Sequence, residues 1–262
     1  MKTLDNESFI LKFFSSIKQS EVRFIGNFFR CCGIYLSLKC FSYSHNWVDT
    51  SKSSDPPPDF YNKKLKLMMD VMRFDDSSFV DANGKIQNPV YRRESETMRQ
   101  YFGNDYKNKY DNASCLINVS SGLYGTDDHN FTRYFENFKR TFNKHNKSID
   151  LYRKNHPGYE TILFLFDEST LYVEVGDEYF LRCSSHEPIL CNPHIPFMDT
   201  KFLSIIESSK ADYVVWYTPY KLLRGVRNKI IKLPKCCIIA REHIKKKHLT
   251  TYNYDLITSI ER

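Results

Sequence analysis

The stretch SDPPPDFYNKKLKLMMDVMRFDD, residues 54–76, contains the pattern that decides the fold. Its second half, 65–74, is almost continuously apolar, which is typical of a strand buried on both faces of a sheet. The three prolines keep the backbone extended up to Asp59, which predicts a shorter strand at 59–62. If the turn NKKL joins the two strands, the carboxylates of Asp59 and Asp70 can meet at one edge of the sheet.

The carboxylate of Asp70 needs a compensating partner, because an ionised acid inside an apolar strand loses its hydration. A metal ion or a cationic side chain would supply that partner. Mg²⁺ binds hard oxygen ligands that converge on one point, where the ion can polarise a phosphate and activate water. We therefore interpret Asp59 and Asp70 as candidate metal ligands of a phosphodiesterase. The structural alternative pairs Asp70 with Arg73 or with a neighbouring lysine, while Asp59 caps a turn.

The remaining sequence predicts helices and strands that alternate along the chain. We expect helices at 7–30, 91–102, 129–149 and 199–209, and strands at 32–44, 113–120, 160–168, 170–175, 211–219, 229–234 and 235–240. The segment 170–175 is expected to be the hairpin partner of 160–168. This order predicts a single α/β domain over 1–262, with a mixed central β-sheet flanked by helices.

The composition limits the classes of function. The chain has 262 residues and a formal charge of +7, which permits a polyanionic partner. Glycine is scarce, and neither of the common glycine-rich phosphate-binding loops is present. Eight scattered cysteines do not suggest a disulfide scaffold, and the apolar segment SFILKFFSSI is too short to span a bilayer. We therefore expect a cytoplasmic protein with reduced cysteines and no membrane partner.

Two short motifs resemble those of a known enzyme superfamily. Pro58-Asp59 matches a PD element, and Asp70-Val71-Met72 stands where a (D/E)xK element would follow. In these motifs the chain is similar to the PD-(D/E)xK nucleases. The resemblance implies a restriction-endonuclease-like core at about 7–120, with a C-terminal extension over 121–262 that completes the sheet.

The resemblance also implies a reaction and a set of catalytic residues. It implies a hydrolase that cleaves nucleic acid with Mg²⁺ or Mn²⁺ as cofactor. Asp59 and Asp70 would bind the metal ion. Glu7 or Glu21 would supply the further carboxylate that the first helix of this superfamily often carries.

The chain departs from the superfamily at the lysine, because Met72 occupies that position. In the superfamily this lysine positions the attacking water and offsets developing charge. Lys66 is a candidate replacement, since it precedes Asp70 by four residues and would share its strand face. Arg73 would point to the other face. Without a replacement, the fold would bind a partner without cutting it.

A cluster of cysteine and histidine suggests a second metal. Cys183, His186, Cys191 and His194 follow the spacing C-x₂-H-x₄-C-x₂-H, and thiolate and imidazole are zinc ligands. The alternative is a proline-rich loop in which the two cysteines are partly buried. His194 also precedes Asp199 at the start of a predicted helix, where it could act as a general base or contact a phosphate.

A pair of acids ends the strand predicted at 160–168. Asp167 and Glu168 could be metal ligands at a strand terminus. The sequence DEST is also ordinary turn chemistry, in which an acid accepts hydrogen bonds from the following backbone.

The predicted helix 129–149 has an aromatic face and a basic face. The candidate phosphate contacts are Arg133, Lys139, Arg140, Lys144 and Lys147 on this helix, with Arg73 and the basic tail at 245–247. Tyr134 could stack on a base.

Two functional hypotheses follow from the sequence. The first is a metal-dependent nucleic-acid phosphodiesterase with a degenerate PD-(D/E)xK site. The alternative is a non-catalytic factor that binds protein or nucleic acid, such as an inhibitor or accessory protein of a mobile element. The sequence does not specify an oligomeric state.

Overall fold

The computed structural model describes residues 7–41, 46–50, 58–104, 129–181, 189–219, 221, 223–224, 230–231, 233–244 and 249–260. In this part of the chain the α-helices are α1 (Glu7–Ser15), α2 (Phe28–Lys39), α3 (Pro89–Phe102), α4 (Phe131–Asn155) and α5 (Thr200–Glu207). The strands are β1 (Val22–Ile25), β2 (Trp47–Asp49), β3 (Phe60–Asn62), β4 (Leu67–Phe74), β5 (Phe79–Val80), β6 (Ile86–Gln87), β7 (Glu160–Asp167), β8 (Tyr172–Leu181), β9 (Ile189–Pro193), β10 (Tyr213–Tyr217), β11 (Leu223–Arg224), β12 (Ile230–Ile231), β13 (Cys236–Ala240) and β14 (Ile257–Ser259).

The largest sheet in the described residues is mixed and has the strand order β1-β13-β10-β7-β4-β3-β2. Its centre is parallel, since β7 pairs in parallel with both β4 and β10. The flanks reverse direction, because β3 is antiparallel to β4 and β13 is antiparallel to β10. A smaller sheet has the order β14-β8-β9.

Helices cover both faces of the large sheet. One core contains Phe14 of α1 and Tyr35 of α2, packed against alternate residues of the central strands. The other contains Phe138 of α4 and Phe202 of α5. These pack against the remaining residues of the same strands, whose side chains point to the opposite face of the sheet. The prediction of a mixed central sheet flanked by helices is therefore confirmed.

Strand β4 is buried along nearly its whole length because helices cover both of its faces. Its side chains alternate between the two cores, with Met69 and Val71 facing α1 and α2. Met68 and Met72 face α4 on the other side. Asp70 shares the parity of these two methionines and therefore points toward α4.

The helix predicted at 7–30 is wrong in its second half. Helix α1 ends at Ser15, and 22–25 form the edge strand β1, which pairs with β13. Gly26 follows with φ 97°, a left-handed conformation that reverses the chain after β1.

The strand predicted at 32–44 is also wrong, because most of this segment belongs to helix α2. The side chain of Asn27 accepts a hydrogen bond from the backbone N–H of Arg30 and caps the helix. The buried residues Cys31, Ile34 and Leu38 recur at helical spacing, which outweighs the local strand pattern.

The hairpin expected between 160–168 and 170–175 does not form. Both edges of β7 are occupied, one by β4 and the other by β10, so no edge is left for the following segment. The chain instead enters β8, which pairs with β9 and β14 in the smaller sheet.

The helix predicted at 129–149 continues to Asn155, and the strand predicted at 113–120 lies outside the described residues.

Candidate functional site

Asp59 and Asp70 lie opposite each other, as the turn between their strands predicted. Phe60 pairs with Met69 across the antiparallel strands β3 and β4, so the next pair in this register is Asp59 with Asp70. Oδ2 of Asp59 accepts a hydrogen bond of 2.7 Å from the backbone N–H of Val71. This contact fixes Asp59 beside the strand that carries Asp70.

Helix α4 supplies the partners of Asp70. The Asp70 carboxylate is 3 % exposed, and its Oδ2 lies 2.7 Å from Nδ1 of His145. The hydroxyl of Tyr152 donates to the same oxygen at 2.9 Å. Burial and the nearby carboxylates of Asp70 and Asp59 raise the pKa of Tyr152, which keeps its proton on the phenol. Asp70 is thus stabilised by His145 and Tyr152, and not by Arg73.

The two glutamates proposed as further ligands lie elsewhere in the fold. Glu7 begins α1, which packs on the opposite face of the sheet from α4. Glu21 precedes the edge strand β1, and four strands lie between β1 and β3. Its carboxylate forms an ion pair with Nζ of Lys235 at 2.8 Å, and this contact lowers the pKa of Glu21. Glu21 is therefore not a ligand beside Asp59 and Asp70.

The third position of the (D/E)xK element holds a buried methionine. Met72 is 2 % exposed and packs in the core beneath α4. Lys66 lies in the turn before β4, exposed and with φ 49°, so the expectation that it shares a strand face with Asp70 is wrong. Arg73 forms two hydrogen bonds with Glu168, of 3.0 and 2.6 Å, so its guanidinium is held in an ion pair away from Asp70.

These contacts do not fit a magnesium site. The two hydrogen bonds from α4 meet at one oxygen of Asp70, and a backbone N–H occupies an oxygen of Asp59. Within the described residues, no three His, Cys, Asp or Glu side chains are grouped so that they could hold a metal ion.

Two of the four proposed zinc ligands lie outside the residues that the structure describes. Cys183 and His186 lie outside the described residues, Cys191 is buried, and His194 binds Asp199. Nε2 of His194 lies 2.7 Å from Oδ2 of Asp199, and both side chains are almost completely buried. The predicted proximity of His194 and Asp199 is thus confirmed.

The His194–Asp199 pair anchors helix α5 against the rest of the fold. Asp199 is the N-cap of α5, where its Oδ1 accepts hydrogen bonds from the backbone N–H of Lys201 and the hydroxyl of Tyr254. Burial lowers the pKa of His194, and this effect outweighs the hydrogen bond to Asp199, which acts in the opposite direction. His194 is therefore neutral in the folded protein at neutral pH.

The buried His194 makes stability depend on pH. Folding lowers the pKa of His194 from 6.5. Below that pH the imidazole therefore binds a proton more readily in the unfolded chain than in the folded one. The free energy of unfolding should fall as pH drops below about 6.5, with a contribution from His194 of at most about 1.4 kcal/mol per pH unit. Urea denaturation on either side of this pH should show a shallower dependence for His194→Gln. Identical pH profiles for the variant and the wild type would contradict this assignment.

A buried ion pair lies at the carboxyl ends of the parallel strands. Oδ2 of Asp167, the last residue of β7, accepts hydrogen bonds from Nζ of Lys221 and Nε1 of Trp216, both at 2.9 Å. The hydroxyl of Tyr134 donates to the same oxygen at 2.7 Å. Burial and the charge of Asp167 raise the pKa of Tyr134. Lys221 also lines a small open cleft together with Thr218 and His194.

The sequence indicated only part of this network. Asp167 was recognised as an acid at a strand terminus, and its Oδ1 does accept the turn hydrogen bonds from Ser169. Lys221 carries no local signal, because its partner is 54 residues away in the sequence. Tyr134 is fully buried in this network, so the expectation that it stacks on a base is wrong.

A second buried acid follows the neighbouring strand β4. Asp76 is 4 % exposed, and its Oδ2 accepts hydrogen bonds from the hydroxyl of Tyr172 at 2.7 Å and the backbone N–H of Thr170 at 3.1 Å. Burial alone would raise the pKa of Asp76, but the contacts with His129 and Tyr172 lower it overall. These contacts connect the large sheet to the segment that begins β8.

The solvent-facing side of α4 is basic along its second half. At 100° per residue, Arg140, Lys144, Lys147 and Lys154 fall within about 80° of the helix circumference. We call these four residues the α4 stripe. The three lysines are exposed, and Arg140 is half-buried.

The other basic residues of α4 differ in position. Lys139 is exposed but lies about a quarter of a turn from the α4 stripe. Arg133 falls within the same arc but lies nearly two turns before Arg140, with its guanidinium 4.6 Å from the ring centre of Phe79. Asp150, an acid beside the stripe, forms an ion pair with Lys210, which offsets its negative charge.

Comparisons with protein-family models, with curated proteins and with solved structures give no significant match to this chain. The resemblance to the PD-(D/E)xK superfamily therefore depends on the two short motifs alone. Among the described residues, no helix has the length and apolar character needed to cross a membrane.

Proposed function

We propose that this chain binds nucleic acid through the α4 stripe and does not cleave it. The observation that carries the proposal is the alignment of Arg140, Lys144, Lys147 and Lys154 on one solvent-facing side of a long helix. Lysine and arginine side chains bind phosphates and release condensed counterions, which favours association with nucleic acid.

The length of the stripe suits a polyanion with regularly spaced charges. From Arg140 to Lys154 the helix rises about 21 Å, at about 1.5 Å per residue. Duplex DNA carries one phosphate per strand for about every 3.4 Å of its helix axis, so the stripe is about as long as six base pairs. Four cations over this length can therefore reach several phosphates of one duplex.

The position of the acids supports binding without cleavage. His145 and Tyr152, which hold Asp70, lie roughly a third of a turn around α4 from the centre of the stripe. A backbone on the stripe is therefore separated from Asp70 by the helix itself. The buried carboxylate is already compensated by two protein partners.

The proposal is tested by fluorescence anisotropy with labelled duplex DNA, single-stranded DNA and RNA. We expect binding that weakens linearly in a plot of log affinity against log salt concentration, with a slope of about −3 to −4 for a duplex. Binding to heparin or polyglutamate with equal affinity would indicate a general anion surface. The absence of binding to every nucleic acid at low salt would contradict the proposal.

A separate prediction concerns cleavage at Asp59 and Asp70. Wild-type protein incubated with DNA or RNA and Mg²⁺ or Mn²⁺ should leave the substrate intact, as in the EDTA control. Asp70→Asn should leave nucleic-acid binding unchanged while lowering thermal stability, because it weakens the contacts with His145 and Tyr152. Cleavage that is lost in Asp70→Asn would instead support the PD-(D/E)xK hypothesis.

A further inference from the structure

Helix α2 carries apolar side chains on its solvent-facing side. Phe29 is 84 % exposed, and Leu36 is 54 % exposed two turns later. Phe28 is 52 % exposed, and its ring contacts those of Phe29 and of Phe24 in the edge strand β1. Apolar patches of this kind on a folded protein mark interaction surfaces.

Gly33 lies between these apolar residues, about one turn from each. A Cβ atom added at this position would meet no atom of the fold within 4 Å beyond the adjoining helix backbone, so packing within the chain does not require glycine. Glycine is unfavourable in the interior of a helix. The distance between packed helices depends on the side chains at their contact. Glycine at position 33 would let a second helix approach α2 closely.

We infer that two copies of this chain pair through the solvent-facing side of α2. A two-fold axis at Gly33, perpendicular to the axis of α2, would run the two helices antiparallel and place the two glycines at the crossing point. Phe29 of one copy then lies beside Leu36 of the other, and the reverse contact forms at the same time. The surface is therefore complementary to itself, as a two-fold interface requires.

The exposed area is consistent with a dimer of modest size. If a phenylalanine side chain can bury about 200 Å², Phe29 alone exposes about 170 Å² in each copy. The two Phe29 rings of a pair would then contribute more than a quarter of the roughly 1,200 Å² at the lower end of specific interfaces. Leu36 and the polar flanks of α2 would supply the remainder.

The dimer would leave the α4 stripe accessible. Helix α2 covers one face of the large sheet and α4 covers the other. Two copies joined through α2 would therefore present their stripes on opposite outer surfaces. The inference goes beyond nucleic-acid binding and does not depend on it.

The test measures the mass of the full chain in solution by light scattering and sedimentation velocity across micromolar concentrations. We expect wild-type protein to approach twice 31.1 kDa as its concentration rises. Leu36→Gln and Gly33→Gln should each weaken self-association at least tenfold. Gly33→Gln should not lower the melting temperature, since its side chain has open space and glutamine is a better helix former.

Leu256→Gln is the matched control, because Leu256 is 44 % exposed and lies outside α2. It should dimerise like the wild type. A wild-type chain that stays monomeric at every concentration would overturn the inference. A dimer that survives both Leu36→Gln and Gly33→Gln would also overturn it, because the interface would then lie elsewhere.

Discussion

Asp167→Ala is expected to lower the free energy of unfolding by about 3–5 kcal/mol, because it leaves the buried ammonium of Lys221 without its counter-charge. The exposed fraction of Lys221 is 6 %, so water cannot solvate that charge in the folded state. The substitution also removes the acceptor for the hydroxyl of Tyr134 and the indole N–H of Trp216. Urea denaturation of the wild type and the variant measures the loss.

The matched control removes both charges at once. In Asp167→Leu combined with Lys221→Met, no charge is left buried without a partner, and apolar side chains of similar volume fill the space. Replacing a whole buried ion pair is often neutral or stabilising, so the double variant should recover much of the loss. A loss below about 1 kcal/mol for Asp167→Ala, the size of one ordinary hydrogen bond, would show that the ion pair is not buried as described.

Replacing all four residues of the α4 stripe by glutamine is expected to abolish most nucleic-acid binding. Each phosphate contact contributes about 0.9 to the slope of log affinity against log salt for a duplex. The slope should therefore fall by about 3 to 4, and the affinity at about 50 mM salt should fall about a thousandfold or more. Fold and stability should be little changed, because the three lysines are exposed and, among the described residues, Arg140 donates only to Oδ1 of Asn137 within the same helix.

A second quadruple variant separates the stripe from net charge. Lys12, Lys18, Lys64 and Lys85 are exposed and lie outside α4. Replacing these four by glutamine removes the same formal charge from other surfaces. If long-range attraction by the net charge caused binding, both variants would weaken it equally. If the aligned stripe causes binding, only the first variant loses the contacts.

The central strand and its acid pair could be predicted because their signals are local. The apolar run at 65–74 is long and bounded by turn residues, so it predicts a central strand without reference to other elements. The short turn then fixes the register of β3 against β4, which places Asp59 opposite Asp70. The alternating aromatic and basic faces of α4 are likewise local, because helical periodicity sets them.

The partners of the buried charges could not be predicted, because they come from distant parts of the chain. His145 is 75 residues from Asp70 and meets it only when α4 packs on the sheet. Arg73 was a nearer cation, but strand alternation turns it to the other face, where it binds Glu168. The prediction of a strand at 32–44 failed for a related reason. Its apolar residues fit both a strand and a helix, and packing against the sheet selects the helix α2.

The most direct test compares the two quadruple variants with the wild type in one salt titration. Anisotropy of a labelled duplex is measured at several salt concentrations for the three proteins, after circular dichroism has shown that all three are folded. We predict that the stripe variant loses most of its affinity and its salt dependence, while the control variant stays close to the wild type. Equal weakening in both variants, or unchanged binding in the stripe variant, would contradict the account.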